Sequence, residues 1–244
     1  MKLATVFIIA GMIIISLYFL VEVSYHAAIE TKIDDNRTNV PYLEIPLIEI
    51  HQNINNKSID HGIFHEPASS KPGLGTVVLV GHRTFFGSPF LNLDRLKKGN
   101  NITLSWPGIG NVEYNVVKSY VVPASYRLSV EQGKTLFLIT CYPLGSTRER
   151  LIIQAYQTRI YPFNHQILNK SSSNTPVPYS LLFIGLFLGL GLILTYFYSV
   201  KDDKIIVLIA IIALTIFLIY AYLFPVPPNN ISSQISNINN WFQF

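Results

Sequence analysis

Leu136-Phe137-Leu138-Ile139-Thr140-Cys141, then Tyr142-Pro143-Leu144-Gly145-Ser146, then Arg150-Leu151-Ile152-Ile153-Gln154-Ala155-Tyr156, is the stretch on which the reading of this chain turns. The apolar run from Leu136 to Ile139 reads as a buried strand. It ends in Cys141, the single cysteine of 244 residues. The residues after it are turn formers, and Arg150 opens a second β-rich run. A hairpin over this segment brings the cysteine end of one strand to the arginine start of the next. A thiol at the exposed end of a buried strand is well placed to act as a nucleophile.

A lone cysteine is more often a small buried hydrophobe than a nucleophile, so Cys141 alone decides little. The wider constellation decides more. A third β-run, Thr76-Val77-Val78-Leu79-Val80, ends in Gly81-His82-Arg83. The order is therefore Gly-His-Arg after one strand, Thr-Cys after another, and Arg before a third. This pattern resembles the sortases, extracellular cysteine transpeptidases whose signature is Thr-Leu-x-Thr-Cys. Leu138, Thr140 and Cys141 match it, and Phe137 stands where the first threonine belongs. Gly81-His82-Arg83-Thr84 through Pro89-Phe90, with Leu93 and Leu96-Lys97-Lys98-Gly99, resembles class E, as does Gly145-Ser146 through Arg150-Leu151-Ile152. Tyr142-Pro143 looks more like class D. The resemblance spans about residues 42 to 158.

What the resemblance implies is specific. Cys141 attacks the threonine carbonyl of a sorting motif near the C-terminus of an exported protein. His82 is the general acid and base. Arg150 is a fixed donor to the tetrahedral oxyanion. Thr140 and the backbone N–H of Tyr142 support the site, whereas Pro143 has no N–H to offer. The connection from Pro123 to Gly133 matches a loop that walls the substrate groove in sortases, and here it presents Tyr126 and Arg127. The acyl group passes through a thioester to an amine on the cell envelope or on a pilin-like subunit, without cofactor or metal. Two other readings share the sequence: a non-catalytic membrane scaffold built on the same barrel, and a membrane cysteine protease that only hydrolyses.

Composition frames the rest. Half of the residues are apolar, 13% are charged, and the mean hydropathy is +0.35. That is too apolar for an ordinary soluble domain and points to membrane spans. The formal charge is +4, but no block of Lys and Arg stands out, so no nucleic-acid footprint is present. One cysteine excludes an intramolecular disulfide. His51, His61 and His65 lie near acids, but Gly62 and Pro67 argue against a helix there and no HExxH pattern occurs. We read that segment as a loop without a metal.

The expected organisation follows. Residues 1–24 form an uncleaved transmembrane anchor, too long for a signal-peptide core. Residues 25–40 form an extracellular stalk, and residues 41–160 a mainly β domain, a sortase-like closed barrel of about eight strands. Leu43 to Ile50 carries strand signals, with Pro46 at an edge or bulge. Residues 161–179 are a Ser/Asn/Thr/Pro linker. Residues 180–224 hold two transmembrane helices joined by a short cytoplasmic loop, 199–204, and residues 225–244 are an extracytoplasmic tail. The lipid bilayer is thus an expected partner, with the catalytic domain outside the cell.

Overall fold

A computed structural model describes residues 2–30, 40–129, 133–162, 179–198 and 201–226. The chain divides into two compact units, residues 34–175 and a second unit built from residues 1–33 with 176–244.

The first unit is a closed β-barrel. Its strands are β1 (Tyr42–Ile45), β2 (Ile50–Asn55), β3 (Ile63–His65), β4 (Val77–Val80), β5 (Asn101–Trp106), β6 (Gly110–Pro123), β7 (Thr135–Tyr142) and β8 (Glu149–Tyr161). Around the barrel the order is β1-β2-β3-β4-β7-β8-β6-β5. The pairs β2–β3 and β4–β7 are parallel, and the other ladders are antiparallel. Closure removes the free edges of the sheet around the ring, while Lys118 to Pro123 of β6 run past β5 and pair with β8 alone.

The expected run from Leu43 to Ile50 is two strands. Pro46 opens a single 3-10 turn, Pro46–Ile48, and Glu49 closes it in the left-handed region at φ 55°. A proline cannot donate to a ladder, so the chain reverses there and β2 pairs back on β1.

Alternation along the strands divides their residues between two faces. Leu43, Leu79, Leu104, Leu136, Leu138 and Ile153 fill the barrel interior, all fully buried. Val78, Phe137 and Ile152 point the other way and form a second apolar cluster on the outer face of β4, β7 and β8. Val80, Ile139, Tyr120, Val122 and Leu128 pack against it. This explains why 136–139 is apolar at every position: β7 is covered on both faces.

The second unit holds three helices, α1 (Leu3–Glu30), α2 (Tyr179–Phe197) and α3 (Lys201–Leu223). Each contains a segment long and apolar enough to cross a membrane: 26 residues in α1, 19 in α2 and 21 in α3. Their outward residues are apolar, among them Phe7, Ile14, Leu190 and Ile209. Buried hydroxyls return their hydrogens to the preceding helical turn, Thr195 to the Gly191 carbonyl at 2.9 Å and Thr215 to Ile211 at 2.8 Å. Gly191 lets α2 and α3 approach closely, since a Cβ there would stand 2.8 Å from Ile211 Cγ2.

Lys201 to Lys204, expected within a loop, form the first turn of α3. Asp203 is buried and accepts the Lys2 backbone N–H at 2.8 Å and the Thr5 hydroxyl at 2.5 Å. Thr5 also bonds the Tyr198 hydroxyl at 2.6 Å. The first N–H groups of a helix have no partner in their own helix, and an acceptor from α3 supplies one here. Helix α1 runs to Glu30, into the expected stalk. The rest of that stalk (31–39), most of the linker (163–178) and most of the tail (227–244) lie outside the described residues.

Candidate active site

Strand register brings the three residues singled out in the sequence to one place. In the antiparallel β7–β8 ladder, Cys141 and Arg150 are direct partners. In the parallel β4–β7 ladder, Val80 pairs with Ile139. The contact continues past the end of β4, because the Gly81 N–H donates to the Ile139 carbonyl at 3.1 Å. His82 follows Gly81 directly, at the same end of the barrel as Cys141. Cys141 shares the parity of Phe137 and Ile139, and Arg150 that of Ile152, so both belong to the outer face of the barrel, at the end of the apolar cluster.

Cys141 is half-buried and its thiol is free. Thr140, one residue earlier, faces inward and is buried. Its hydroxyl donates to the Gly81 carbonyl at 2.8 Å. That bond ties the residue before the cysteine to the residue before the histidine. Gly81 itself has no room for a side chain. A Cβ would stand 2.7 Å from Phe90 Cδ2, and Phe90 is fully buried.

His82 bonds through Nε2 to Asp60 Oδ1 at 2.9 Å. Its ring also lies 5.1 Å from that of Phe86, tilted by 38°. Arg150 Nη1 donates to the Thr147 carbonyl at 2.8 Å and to the Glu149 carbonyl at 3.0 Å. Both Nη1 hydrogens are thereby used on the β7–β8 turn, which fixes the guanidinium and leaves Nη2 and Nε as donors. No hydrogen bond joins His82, Cys141 and Arg150 to one another among the described residues.

Tyr142 ends β7 opposite Glu149 and packs against the interior core. The Arg83 guanidinium lies over its ring at 5.3 Å. Arg83 is buried, bonds Asp94 at 2.7 Å and donates from Nε to the Leu91 carbonyl at 3.3 Å. These contacts pin the loop after His82 to the residue after Cys141.

Tyr126 and Arg127 are exposed. Leu128, the next residue, is the one that packs on the outer cluster. Residues 130–132 of that connection lie outside the described set. The segment expected to be a loop holds the 3-10 turn Ile59–His61 and strand β3, and its histidines find local partners. His61 Nδ1 is 2.9 Å from Ser58 Oγ, and His65 Nε2 is 3.2 Å from Ser69 Oγ. Tyr120 on the outer face has its phenol pushed up from the ordinary value, first by burial and then by Tyr126.

Sequence reasoning missed Asp60, Arg83, Asp94 and Leu128. Asp60 and Asp94 lie in separate loops, and no motif ties either acid to its partner. Leu128 could have been found by asking which apolar residue of the 123–133 connection has a face to cover.

Gly81→Ala is expected to cost about 1–3 kcal/mol through overpacking against Phe90. Chemical denaturation of the variant beside the parent chain checks this. Unchanged stability would mean that Phe90 is free to move.

Comparison with known proteins bears on the same segment. Residues 38–158 match the family model described as the sortase domain. Among solved structures, sortase A from Corynebacterium diphtheriae (lid mutant) is 24% identical, with a TM-score of 0.46 over 52% of this chain and 74% of that one. Sortase C-3 from Streptococcus pneumoniae is 25% identical, with a TM-score of 0.45 over 57% and 72%. A Clostridium perfringens sortase D5 transpeptidase is 22% identical, with a TM-score of 0.44 over 55% and 87%. No curated protein matches the chain. The family match covers the whole barrel, from before β1 into β8, and residues 38–158 are therefore a sortase domain, the domain of the cysteine transpeptidases.

Proposed function

We propose that the protein is a membrane-anchored sortase in which Cys141, His82 and Arg150 carry the reaction. The observation behind this is the Cys141–Arg150 register pair, with His82 following β4 at the same end of a sortase domain. The Cys141 thiolate attacks the carbonyl carbon of a sorting motif in an exported protein, forming a C–S bond and an oxyanion. Nη2 and Nε of Arg150 donate to that oxyanion, the guanidinium being held by its two backbone bonds. The intermediate collapses with cleavage of the C–N bond, and His82 gives its proton to the departing amine. An acceptor amine on the envelope or on a pilin-like subunit then attacks the thioester. His82 takes up the proton, and the thiolate leaves.

The supporting residues divide by contact. Thr140 holds the Cys141 and His82 strand ends together through its bond to Gly81. The half-buried rim of the outer cluster, Val80, Ile139 and Leu128, beside the connection bearing Tyr126 and Arg127, offers a surface to an apolar peptide segment. In subclass the protein is most like class E, with a class D feature at Tyr142-Pro143.

Three single changes are expected to fail in three ways. Cys141→Ala abolishes thioester formation, since no second cysteine exists. His82→Ala keeps a thiol that alkylates at high pH but transfers no acyl group. Arg150→Lys lowers the rate about 10²–10³-fold, because an ammonium lacks the guanidinium's fixed fork. Iodoacetamide alkylation against pH and cleavage of a sorting-motif peptide separate them. Arg150→Lys cleaving at the parental rate removes arginine from the mechanism.

For topology, the reading places the amino terminus inside, the barrel outside, the α2–α3 junction inside and the residues after α3 outside. Lys2, Lys201 and Lys204 then lie on the cytoplasmic side, as the positive-inside tendency favours. A cysteine introduced at Ser236 in a Cys141→Ala chain is expected to react with an impermeant thiol reagent in intact cells. One introduced at Asp202 is expected to stay unlabelled, and its labelling overturns the arrangement.

A further inference from the structure

The catalytic reading leaves one side chain without a task. Asp60 comes from the single-turn 3-10 segment Ile59–His61, 22 residues before His82 and on the far side of β3. Its Oδ1 stands 2.9 Å from His82 Nε2. The two side chains are only 12% and 25% exposed, so bulk water competes little for the bond. A carboxylate has no hydrogen to give. Nε2 must therefore carry the hydrogen in this contact, and in the neutral ring the lone pair falls on Nδ1.

The segment that bears Asp60 is fastened at both ends. At the end of β2, Asn55 Oδ1 accepts the backbone N–H groups of Lys57 at 2.9 Å and Ser58 at 3.1 Å. Its Nδ2 donates to the Ile63 carbonyl at 2.9 Å, across the base of the loop. Phe86, held at a left-handed φ of 54°, puts its ring against His82. The imidazole thus has a carboxylate at one nitrogen and an aromatic ring beside it.

We propose that Asp60 is a positioning residue for His82: it fixes the hydrogen on Nε2 and leaves Nδ1 as the atom that exchanges a proton with the departing and incoming amines. This rests on the sortase reading above and deepens it. In the imidazolium both nitrogens carry hydrogen, Asp60 keeps the one on Nε2, and the Nδ1 proton is the one donated. When the incoming amine is deprotonated, Nδ1 receives that proton and the ring returns to its starting state. No other group is consumed.

The test uses the full chain in detergent micelles, labelled with 15N-histidine. The His82 signal is assigned among the six histidines by its loss in His82→Gln. The neutral ring is expected to show hydrogen on Nε2. Asp60→Asn keeps the shape, but its amide can donate to Nε2 and release the reverse tautomer. That variant is expected to show hydrogen on Nδ1 and a kcat for acyl transfer lower by about 10–100-fold, part of what general acid–base catalysis supplies, with KM unchanged. A parent chain with hydrogen on Nδ1, or an Asp60→Asn chain with the parental kcat, overturns the assignment. The tautomer is read without substrate. A parent that transfers no acyl group therefore counts against the sortase chemistry, while the ring still decides the role of Asp60.

Discussion

The site depends on one constraint, the register of β7 between its two neighbours. Side chains alternate along a strand, so a slip of one residue moves every one of them to the opposite face. If β8 slipped by one against β7, Arg150 would no longer stand opposite Cys141. If β4 slipped, the two bonds that tie Gly81 to Ile139 and Thr140 would be lost and His82 would shift along the barrel end. What prevents the slip is the double burial of β7. Leu136 and Leu138 are locked in the interior, Phe137 and Ile139 in the outer cluster. A slip would exchange these two sets and place the Thr140 hydroxyl outside. Both sets would still meet apolar neighbours, so the opposition comes from shape, a misfitting side chain in a packed core costing about 1–3 kcal/mol, and from loss of the Thr140 bond to Gly81.

Side-chain bonds then refine what the ladder sets. Thr140 to Gly81 ties the two strand ends, and Arg83 over Tyr142 ties the two loops that leave them. Among the described residues, Arg150 is held by carbonyls of its own turn and not by a carboxylate. That arrangement is compatible with the oxyanion role proposed for it. A carboxylate partner would already neutralise the guanidinium, whereas carbonyl partners orient it and leave its charge uncompensated. In the helical unit, Asp203 does comparable work with neutral partners, accepting the N–H of Lys2 and the hydroxyl of Thr5 at the start of α1.

Much of this was legible in the sequence, and the reasons differ by element. β7 and β8 were readable because their apolar runs are continuous and a turn-rich segment separates them. The positions of Cys141, His82 and Arg150 near strand ends were readable because a strand signal stops or starts at each of them. The β1–β2 break at Pro46 was misplaced as an edge or bulge, since a proline permits several local outcomes and only the ladder to β2 selects one. Lys201 to Lys204 looked like a loop because charge was taken to end the helix. That turn is helical, and buried Asp203 bonds across to α1 from it, a tertiary contact that no local pattern encodes. Asp60 was illegible for the same reason. Its meaning lies in a 2.9 Å contact to a residue 22 positions away.

The most direct measurement of the central claim is the mass of the acyl-enzyme. The full chain, mixed with a broad peptide library and no amine acceptor, is expected to gain the mass of an acyl fragment on the peptide that contains Cys141. Hydroxylamine should release that fragment, as it does thioesters. A chain whose Cys141 reacts with iodoacetamide yet gains no acyl mass from any library member would contradict the account.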